Sequence, residues 1–329
     1  MKGLNVVAFI AGFALIAAVL SRAVPSVRPP QIGAKLDFLA QHGAGYDTFF
    51  IGSSRVHRQI IPDLFDAEMA ALGVKTNSFS LSGDGMRPPE DEFVMERAFA
   101  SRTAPVRLLL VECNSVEPGL VEDDAGTARA VYWHDATRMA RLWRNCWAAP
   151  TASRVWKRLR QFPEHIQHWA WNAGRLGEGN ERLTAMLFGE SLRDDAREVG
   201  ADGYHVPKTV PPMSGSALRA YEKDVAAALK SPPPRDEEDS ESQASLAWKQ
   251  ALATKLGARL VLVSSPFPRP VVFAPTGDIA FLDFSSPARY PELYAPENRR
   301  DPGHLNVRGS ELYTRIIARQ IAAALQQQP

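Results

Sequence analysis

The chain has 329 residues, of which 45% are hydrophobic and 23% charged, and its 38 basic and 37 acidic residues give a net charge of +1. This composition is typical of a globular protein and excludes a disordered or collagen-like chain. Domains that bind nucleic acid usually carry a strong basic excess, so the balanced charge argues against a nucleic-acid partner.

The N-terminus combines a positive charge with a long apolar segment. Lys2 precedes an apolar run from Leu4 to Leu20, and a proline-rich stretch follows it. A bilayer span needs ~17–25 residues, and a basic start, an apolar centre and a small-residue exit are typical of a secretory signal. We therefore expect residues 1–24 to be an uncleaved signal anchor rather than a cleaved peptide, with a linker over residues 25–44. The domain at 45–329 is expected outside the cytoplasmic membrane, in the periplasm of a Gram-negative cell.

The segments that follow alternate in the manner of an α/β protein. Strands are predicted over 46–51, 74–81, 106–111 and 259–264, and helices over 60–72, 88–101 and 309–325. The runs at 106–111 and 259–264 are continuously apolar, as expected for strands buried on both faces. Alternating strands and helices predict a three-layer α/β/α fold with a short, flavodoxin-like parallel sheet.

A segment at about 116–245 interrupts this alternation. It is much longer than the usual connection between core strands, and we predict a large helical insertion there. Six of the seven tryptophans lie in it, interleaved with arginines: Trp133, Trp143, Trp147, Trp156, Trp169 and Trp171. We favour a helical subdomain with its own core. The alternatives are an amphipathic surface for the membrane or a membrane partner, and a lid that stacks on sugar rings.

Four short motifs at predicted turns contain the residue types of a serine hydrolase. Gly52-Ser53-Ser54 follows the first strand, at the edge where open α/β sheets bind ligands. Gly83 follows the second strand and Asn114 the third, and a glycine N–H or an asparagine amide can donate to an oxyanion. Asp301-Pro302-Gly303-His304 precedes the last helix, a spacing that lets the carboxylate orient the imidazole as a base. Each motif alone is common in structural turns, so their significance lies in their order along the chain.

That order resembles the SGNH (GDSL-like) hydrolases, which are named for Ser, Gly, Asn and His in four sequence blocks. Gly52-Ser53-Ser54 is similar to the family's Gly-Asp-Ser, with Ser53 in place of Asp. Ser82-Gly83-Asp84 is similar to the second block, and Glu112-Cys113-Asn114-Ser115 keeps only the Asn of the third. Asp301 to His304 matches the last block in full. The resemblance covers roughly residues 45–115 and 255–327.

The resemblance implies a catalytic triad of Ser54, Asp301 and His304. It also implies an oxyanion hole formed by the backbone N–H groups of Ser54 and Gly83 and by the side chain of Asn114. Such a site performs acyl-ester chemistry and requires no metal and no organic cofactor.

The C-terminal segment from Pro291 to Ile321 resembles a membrane-anchored subgroup, similar to proteins of bacterial polysaccharide and teichoic-acid acylation. The implied function is O-acyl transfer, in particular O-acetyl transfer, to or from a cell-envelope polysaccharide, with a membrane-bound O-acyltransferase as partner. The alternatives are a general SGNH esterase or lipase, and a catalytically silent scaffold that docks the acyltransferase. The departures from the family pattern at Ser53, Glu112 and Ser115 keep the scaffold open.

Several further polar residues have two interpretations. Arg55 follows the nucleophile and could contact an anionic substrate or pair with a nearby carboxylate. His57 could join the site, although we expect it at a solvent-facing helix start. Cys113 and Cys146 are compatible with a disulfide in the periplasm or with two free thiols. Three histidines of the insertion show no zinc-binding pattern and are predicted to be structural: His134, His165 and His168.

Overall fold

The computed structural model describes residues 2–23, 29–114, 127–147, 151–174, 200–206, 213–230, 240–268 and 279–326. The chain divides into two compact units. The helical unit comprises residues 1–34 and 117–196, and the sheet unit comprises residues 35–116 and 197–329. The predicted insertion at about 116–245 is therefore shared between them, because its residues from Arg197 onward belong to the sheet unit.

The described residues form twelve helices and seven strands. The helices are α1 (Lys2–Ala23), α2 (Pro30–His42), α3 (Ser54–His57), α4 (Pro62–Ala71), α5 (Glu90–Phe99), α6 (Ala128–Trp133), α7 (Ala136–Trp147), α8 (Ala152–Gly174), α9 (Gly215–Lys230), α10 (Ser240–Leu256), α11 (Pro291–Tyr294) and α12 (Val307–Gln326). The strands are β1 (Thr48–Ile51), β2 (Ser78–Ser80), β3 (Leu108–Glu112), β4 (Arg259–Ser264), β5 (Ala280–Asp283), β6 (Arg299–Asp301) and β7 (His304–Leu305). Short 3₁₀ turns lie at Gly43–Gly45 and Pro296–Asn298.

Five parallel strands form the sheet, in the order β2-β1-β3-β4-β5. Phe50 of β1 pairs with Leu110 of β3, which in turn pairs with Val261 of β4. This strand order is that of flavodoxin-like sheets, in which ligands bind beyond the carboxyl ends of the strands. The predicted α/β fold with a short parallel sheet is confirmed.

Helices cover both faces of the sheet, which gives the three layers. On one face, α4 and α12 pack against each other and share an apolar core with Phe50, Leu110 and Val263. On the other face, Phe99 of α5 meets Phe49 edge to face, with 5.0 Å between the ring centroids. Helix α10, which precedes β4 in the chain, packs on that strand. A buried ion pair between Lys249 and Asp91 joins α10 to α5.

The predicted linker at 25–44 is wrong over residues 30–42, which form α2. Pro30 occupies the first helical position, where its missing N–H costs nothing, and the helix buries Ile32, Leu36 and Lys35. The proline-rich sequence therefore starts a helix instead of preventing one. Residues 24–28 lie outside the described part of the chain.

The helical unit contains α1, α6, α7 and α8, and both α1 and α7 pack against α8. The predicted N-terminal segment is thus helical over Lys2–Ala23. When only the residues that the structure describes are counted, no helix is both long enough and apolar enough to cross a membrane.

The residues from Gly200 to Val206 lie beside the sheet and not in a helix. The N–H of Ser80 in β2 donates to the carbonyl of Asp202 at 2.8 Å. Gly203 adopts φ +76°, and a Cβ there would lie 2.3 Å from the Ser80 carbonyl oxygen. Only glycine allows this approach, so this part of the predicted insertion belongs to the edge of the fold.

Candidate active site

The structure brings Ser54, His304 and Asp301 into one hydrogen-bonded series. Ser54 Oγ lies 2.8 Å from His304 Nε2, and His304 Nδ1 lies 2.8 Å from Asp301 Oδ1. An ionised carboxylate can only accept hydrogen bonds, so Nδ1 carries the hydrogen and Nε2 faces the serine hydroxyl as an acceptor. Residues 250 positions apart in sequence therefore form the geometry in which a histidine can take a proton from a serine.

The turn between β6 and β7 places the acid and the base side by side. Asp301 and His304 are partners in this antiparallel pair, and the Gly303 N–H donates to Asp301 Oδ1 at 2.8 Å. Burial by itself raises the pKa of the Asp301 carboxyl. The hydrogen bond and charge of His304, the Gly303 N–H and the charge of Arg299 outweigh burial, so the pKa lies below its usual value. The carboxylate is therefore ionised at neutral pH.

A buried arginine stabilises this turn through hydrogen bonds to carbonyl oxygens. Arg299 is 1% exposed, and its guanidinium donates to the carbonyl oxygens of Pro302 at 2.7 Å and Pro266 at 3.0 Å. Its guanidinium also faces the rings of Tyr221 and Tyr294. The cation thus joins the turn that carries Asp301 and His304 to the segment that follows β4.

Ser54 begins α3, directly after β1. Ser53 caps this helix in an extended conformation, with its hydroxyl accepting from the Arg55 N–H. Gly52 is required immediately before it, because a Cβ there would lie 2.6 Å from both Glu112 Cβ and Val56 Cγ2. The tight turn places Ser54 at the carboxyl edge of the sheet.

A buried carboxylate, Glu112, connects the strand ends around Ser54. Its Oε2 accepts the Ser53 N–H at 2.7 Å and an amide hydrogen of Asn114 at 3.0 Å. Its Oε1 accepts the Ser265 hydroxyl at 3.1 Å and lies 3.4 Å from Arg55 Nε. Burial raises the pKa of Glu112, but the Arg55 charge and the hydrogen bonds from Ser53 and Asn114 outweigh it, so the pKa is lowered. Glu112 is ionised and ties the ends of β1, β3 and β4 together.

The three predicted oxyanion donors differ in whether their hydrogens already have an acceptor. Ser54 occupies the first turn of α3, where a backbone N–H has no partner within the helix. Asn114 uses one amide hydrogen on Glu112 and has a second hydrogen to offer. The Gly83 N–H, in contrast, donates to the Gly52 carbonyl at 3.1 Å. Gly83 is thus a correction to the prediction: in this structure its amide supports the turn from Gly52 to Ser54 and is not free for an oxyanion.

The loop that contains Gly83 rests on a second buried basic side chain, Lys35. Lys35 Nζ donates to the Ser82 carbonyl at 2.6 Å and lies 3.1 Å from His57 Nδ1. Burial lowers the pKa of Lys35 to about 7, and the nearby carboxylates of Asp84 and Asp202 offset only part of that effect. His57 is fully buried, so its predicted place at a solvent-facing helix start is wrong. It packs inside because α2 covers it.

Arg55 has both an internal partner and an exposed side. Besides its ion pair with Glu112, its guanidinium lies 4.9 Å from the centre of the Phe267 ring. Phe267 also faces the turn between β6 and β7, since a Cβ on Gly303 would lie 3.9 Å from its ring. The carboxylate pairing considered for Arg55 is therefore present, and a substrate contact stays a prediction.

The remaining candidate groups are two cysteines and three histidines. Cys113 and Cys146 are not joined in a disulfide, and burial raises the pKa of Cys113 to about 12, which keeps this thiol protonated at neutral pH. His134, His165 and His168 are buried together in the helical unit, with His134 Nε2 2.9 Å from His165 Nδ1. Within the described ranges, no group of three or more His, Cys, Asp or Glu side chains could hold a metal ion.

The sequence pattern did not identify three residues of the candidate site: Glu112, Ser265 and Phe267. Glu112 stood out only as a departure from the family pattern. Ser265 and Phe267 follow a strong apolar strand, and polar or aromatic residues at that place in a parallel sheet are a usable indication of a site. Compared with protein-family models and with curated proteins, the chain matches neither.

Proposed function

We propose that the protein is an SGNH-type serine acyl-esterase or O-acyltransferase that acts outside the cytoplasmic membrane on acyl esters of a cell-envelope polysaccharide. The single observation that carries the proposal is the series in which Ser54 Oγ, His304 Nε2, His304 Nδ1 and Asp301 Oδ1 are joined by two contacts of 2.8 Å. An unreactive serine in a turn has no need of a base that is itself oriented by a carboxylate.

The proposed reaction proceeds through an acyl-enzyme. His304 Nε2 takes the hydroxyl proton as Ser54 Oγ attacks the ester carbonyl, and Asp301 stabilises the imidazolium that forms. The Ser54 N–H and the free amide hydrogen of Asn114 donate to the oxyanion. His304 returns the proton to the departing alcohol. Water or a sugar hydroxyl, deprotonated by the same imidazole, then attacks the acyl-enzyme and releases Ser54.

The cellular setting and the acceptor rest on the N-terminal segment and on the resemblance of the C-terminal segment. We propose that α1 anchors the protein in the inner membrane, with the sheet unit in the periplasm. A membrane-bound O-acyltransferase is the proposed partner, because an anchored acyl-enzyme needs a source or a destination for its acyl group at the membrane.

The test uses the full chain in detergent with 4-nitrophenyl acetate and, separately, with an acetylated oligosaccharide. We expect ester turnover by the parent protein and by Ser101→Ala, a matched control at an exposed serine. We expect Ser54→Ala to lose turnover by ~10³-fold or more. Equal turnover by parent and Ser54→Ala would contradict the proposal.

Product analysis then separates the two forms of the function. With an acetyl donor and an unacetylated glycan acceptor, a transferase forms a new glycan ester, whereas a hydrolase releases acetate. A folded parent protein that forms neither product and does not react with an acylating probe would indicate a catalytically silent scaffold.

A further inference from the structure

Helices α7 and α8 of the helical unit expose several large aromatic side chains. Trp143 and Trp147 of α7 are 46% and 58% exposed, and Trp156 of α8 is 65% exposed. The two α7 rings lie one helical turn apart and meet edge to face at 5.6 Å. Tryptophan is normally well buried in soluble proteins, so this concentration of exposed indoles indicates a surface that meets another phase or molecule.

The same two helices concentrate positive charge. They contain seven basic residues and one acidic residue, although the whole chain carries only +1. Arg144, Lys157 and Arg160 are exposed, and none of them forms an ion pair with a residue that the structure describes. Exposed indoles and exposed cations on the same two helices are complementary to anionic headgroups above a hydrocarbon layer.

The apolar helix α1 packs directly against α8 within this unit. Side chains of α1 that are largely exposed include Phe9 and Leu15. The exposed apolar helix and the basic aromatic helices are therefore parts of one compact body. A bilayer is the occupant that suits both, because it offers hydrocarbon to α1 and anionic headgroups to α7 and α8.

We propose that α7 and α8 dock on the surface of an anionic membrane, with Trp143, Trp147 and Trp156 at the level of the lipid headgroups and Arg144, Lys157 and Arg160 among their phosphates. This inference does not depend on the chemistry of Ser54. It assigns the tryptophan- and arginine-rich segment to the membrane interface and not to a solvated subdomain or a sugar-binding lid.

The experiment measures quenching of tryptophan fluorescence by brominated lipid. The full chain is reconstituted into nanodiscs that contain phosphatidylcholine alone or phosphatidylcholine with phosphatidylglycerol, with bromine on the acyl chains. We expect strong quenching in the anionic discs. The double variant Trp143→Phe/Trp147→Phe removes indoles at the interface, so the quenched fraction should fall. Trp248→Phe is the matched control in the sheet unit. It removes an indole that the lipid does not quench, so the quenched fraction of the remaining tryptophan fluorescence should rise.

A second variant tests the charge. Arg144→Glu/Lys157→Glu/Arg160→Glu alters exposed positions only, and circular dichroism checks that its helix content equals that of the parent. We expect this triple variant to lose quenching in the anionic discs, and the parent to lose it at high salt. Equal quenching of the parent, the double tryptophan variant and Trp248→Phe would overturn the proposal. So would the absence of quenching in every disc, which would assign the surface to a protein partner.

Discussion

Replacing Glu112 tests whether the buried carboxylate positions the nucleophile. Glu112→Ala leaves the N–H of Ser53 and the amide of Asn114 without their acceptor. Each buried donor that loses its acceptor costs ~1–3 kcal/mol. Ser265 can rotate its hydroxyl, and Arg55 is 20% exposed and can be hydrated, so these two partners add less. We therefore expect a stability loss of about 3–5 kcal/mol, as when a buried ion pair is broken.

The effect on catalysis separates this role from a purely structural one. Without Glu112, the Asn114 amide is no longer aimed, and the loss of one oxyanion donor lowers kcat by ~10²–10³. Glu112→Gln can keep its carbonyl oxygen on Ser53 and Asn114 and donate its amide to the Ser265 hydroxyl oxygen, so the charge and the ion pair with Arg55 are lost while the hydrogen bonds to the turn remain. We expect this conservative variant to recover most of kcat, to within roughly tenfold of the parent.

Steady-state turnover of 4-nitrophenyl acetate and thermal melting are the two measurements, and Asp66→Asn is the matched control. The Asp66 carboxylate also accepts hydrogen bonds, from Thr76 and Ser78, but at the amino end of β2, opposite the site. Asp66→Asn should lower the melting temperature and leave kcat unchanged. A parent-like kcat for Glu112→Ala, or an equal fall in kcat for Asp66→Asn, would refute the positioning role.

Three other predictions follow from the same contacts. Asp301→Asn should lower kcat by ~10³–10⁴-fold, because an amide no longer enforces the His304 tautomer; kcat measured from pH 5 to 9 should stay low throughout, and recovery at any pH would contradict this. Lys35 has its pKa lowered from 10.5 to about 7, so the unfolded chain binds more protons between those values and the melting temperature should rise with pH over that window; Lys35→Met should remove the rise, and an unchanged slope would contradict the assignment. Gly52→Ala should destabilise by ~1–3 kcal/mol or more, because its Cβ overlaps Glu112; a parent-like melting temperature would show that the turn is looser than described.

The central strands could be predicted because their sequences carry their environment. The segments at β1, β3 and β4 are apolar on both faces, and such runs occur in few contexts other than the middle of a parallel sheet. Strand β5, Ala280–Asp283, was missed because it is a short edge strand with partly exposed side chains. The predicted strand at 74–81 was too long, since only Ser78–Ser80 pairs with β1.

The candidate site likewise contains residues that the sequence could predict and residues that it could not. The order of Ser54, Asp301 and His304 is a linear pattern, so the sequence could show it. The role of Glu112 depends on three strand ends that meet only in the folded sheet. The burial of His57 likewise depends on its contact with Lys35. Lys35 lies in a segment whose nearby prolines predict a linker and not a helix.

The most direct test of the central claim is covalent labelling of the native full chain with a fluorophosphonate, followed by mass mapping of the modified peptide. A serine activated by His304 should react, and the label should map to Ser54 alone. Ser54→Ala should not be labelled, and His304→Asn should be labelled far more slowly. A folded protein that is not labelled, or a label that persists in Ser54→Ala, would contradict the assignment of Ser54 as the nucleophile.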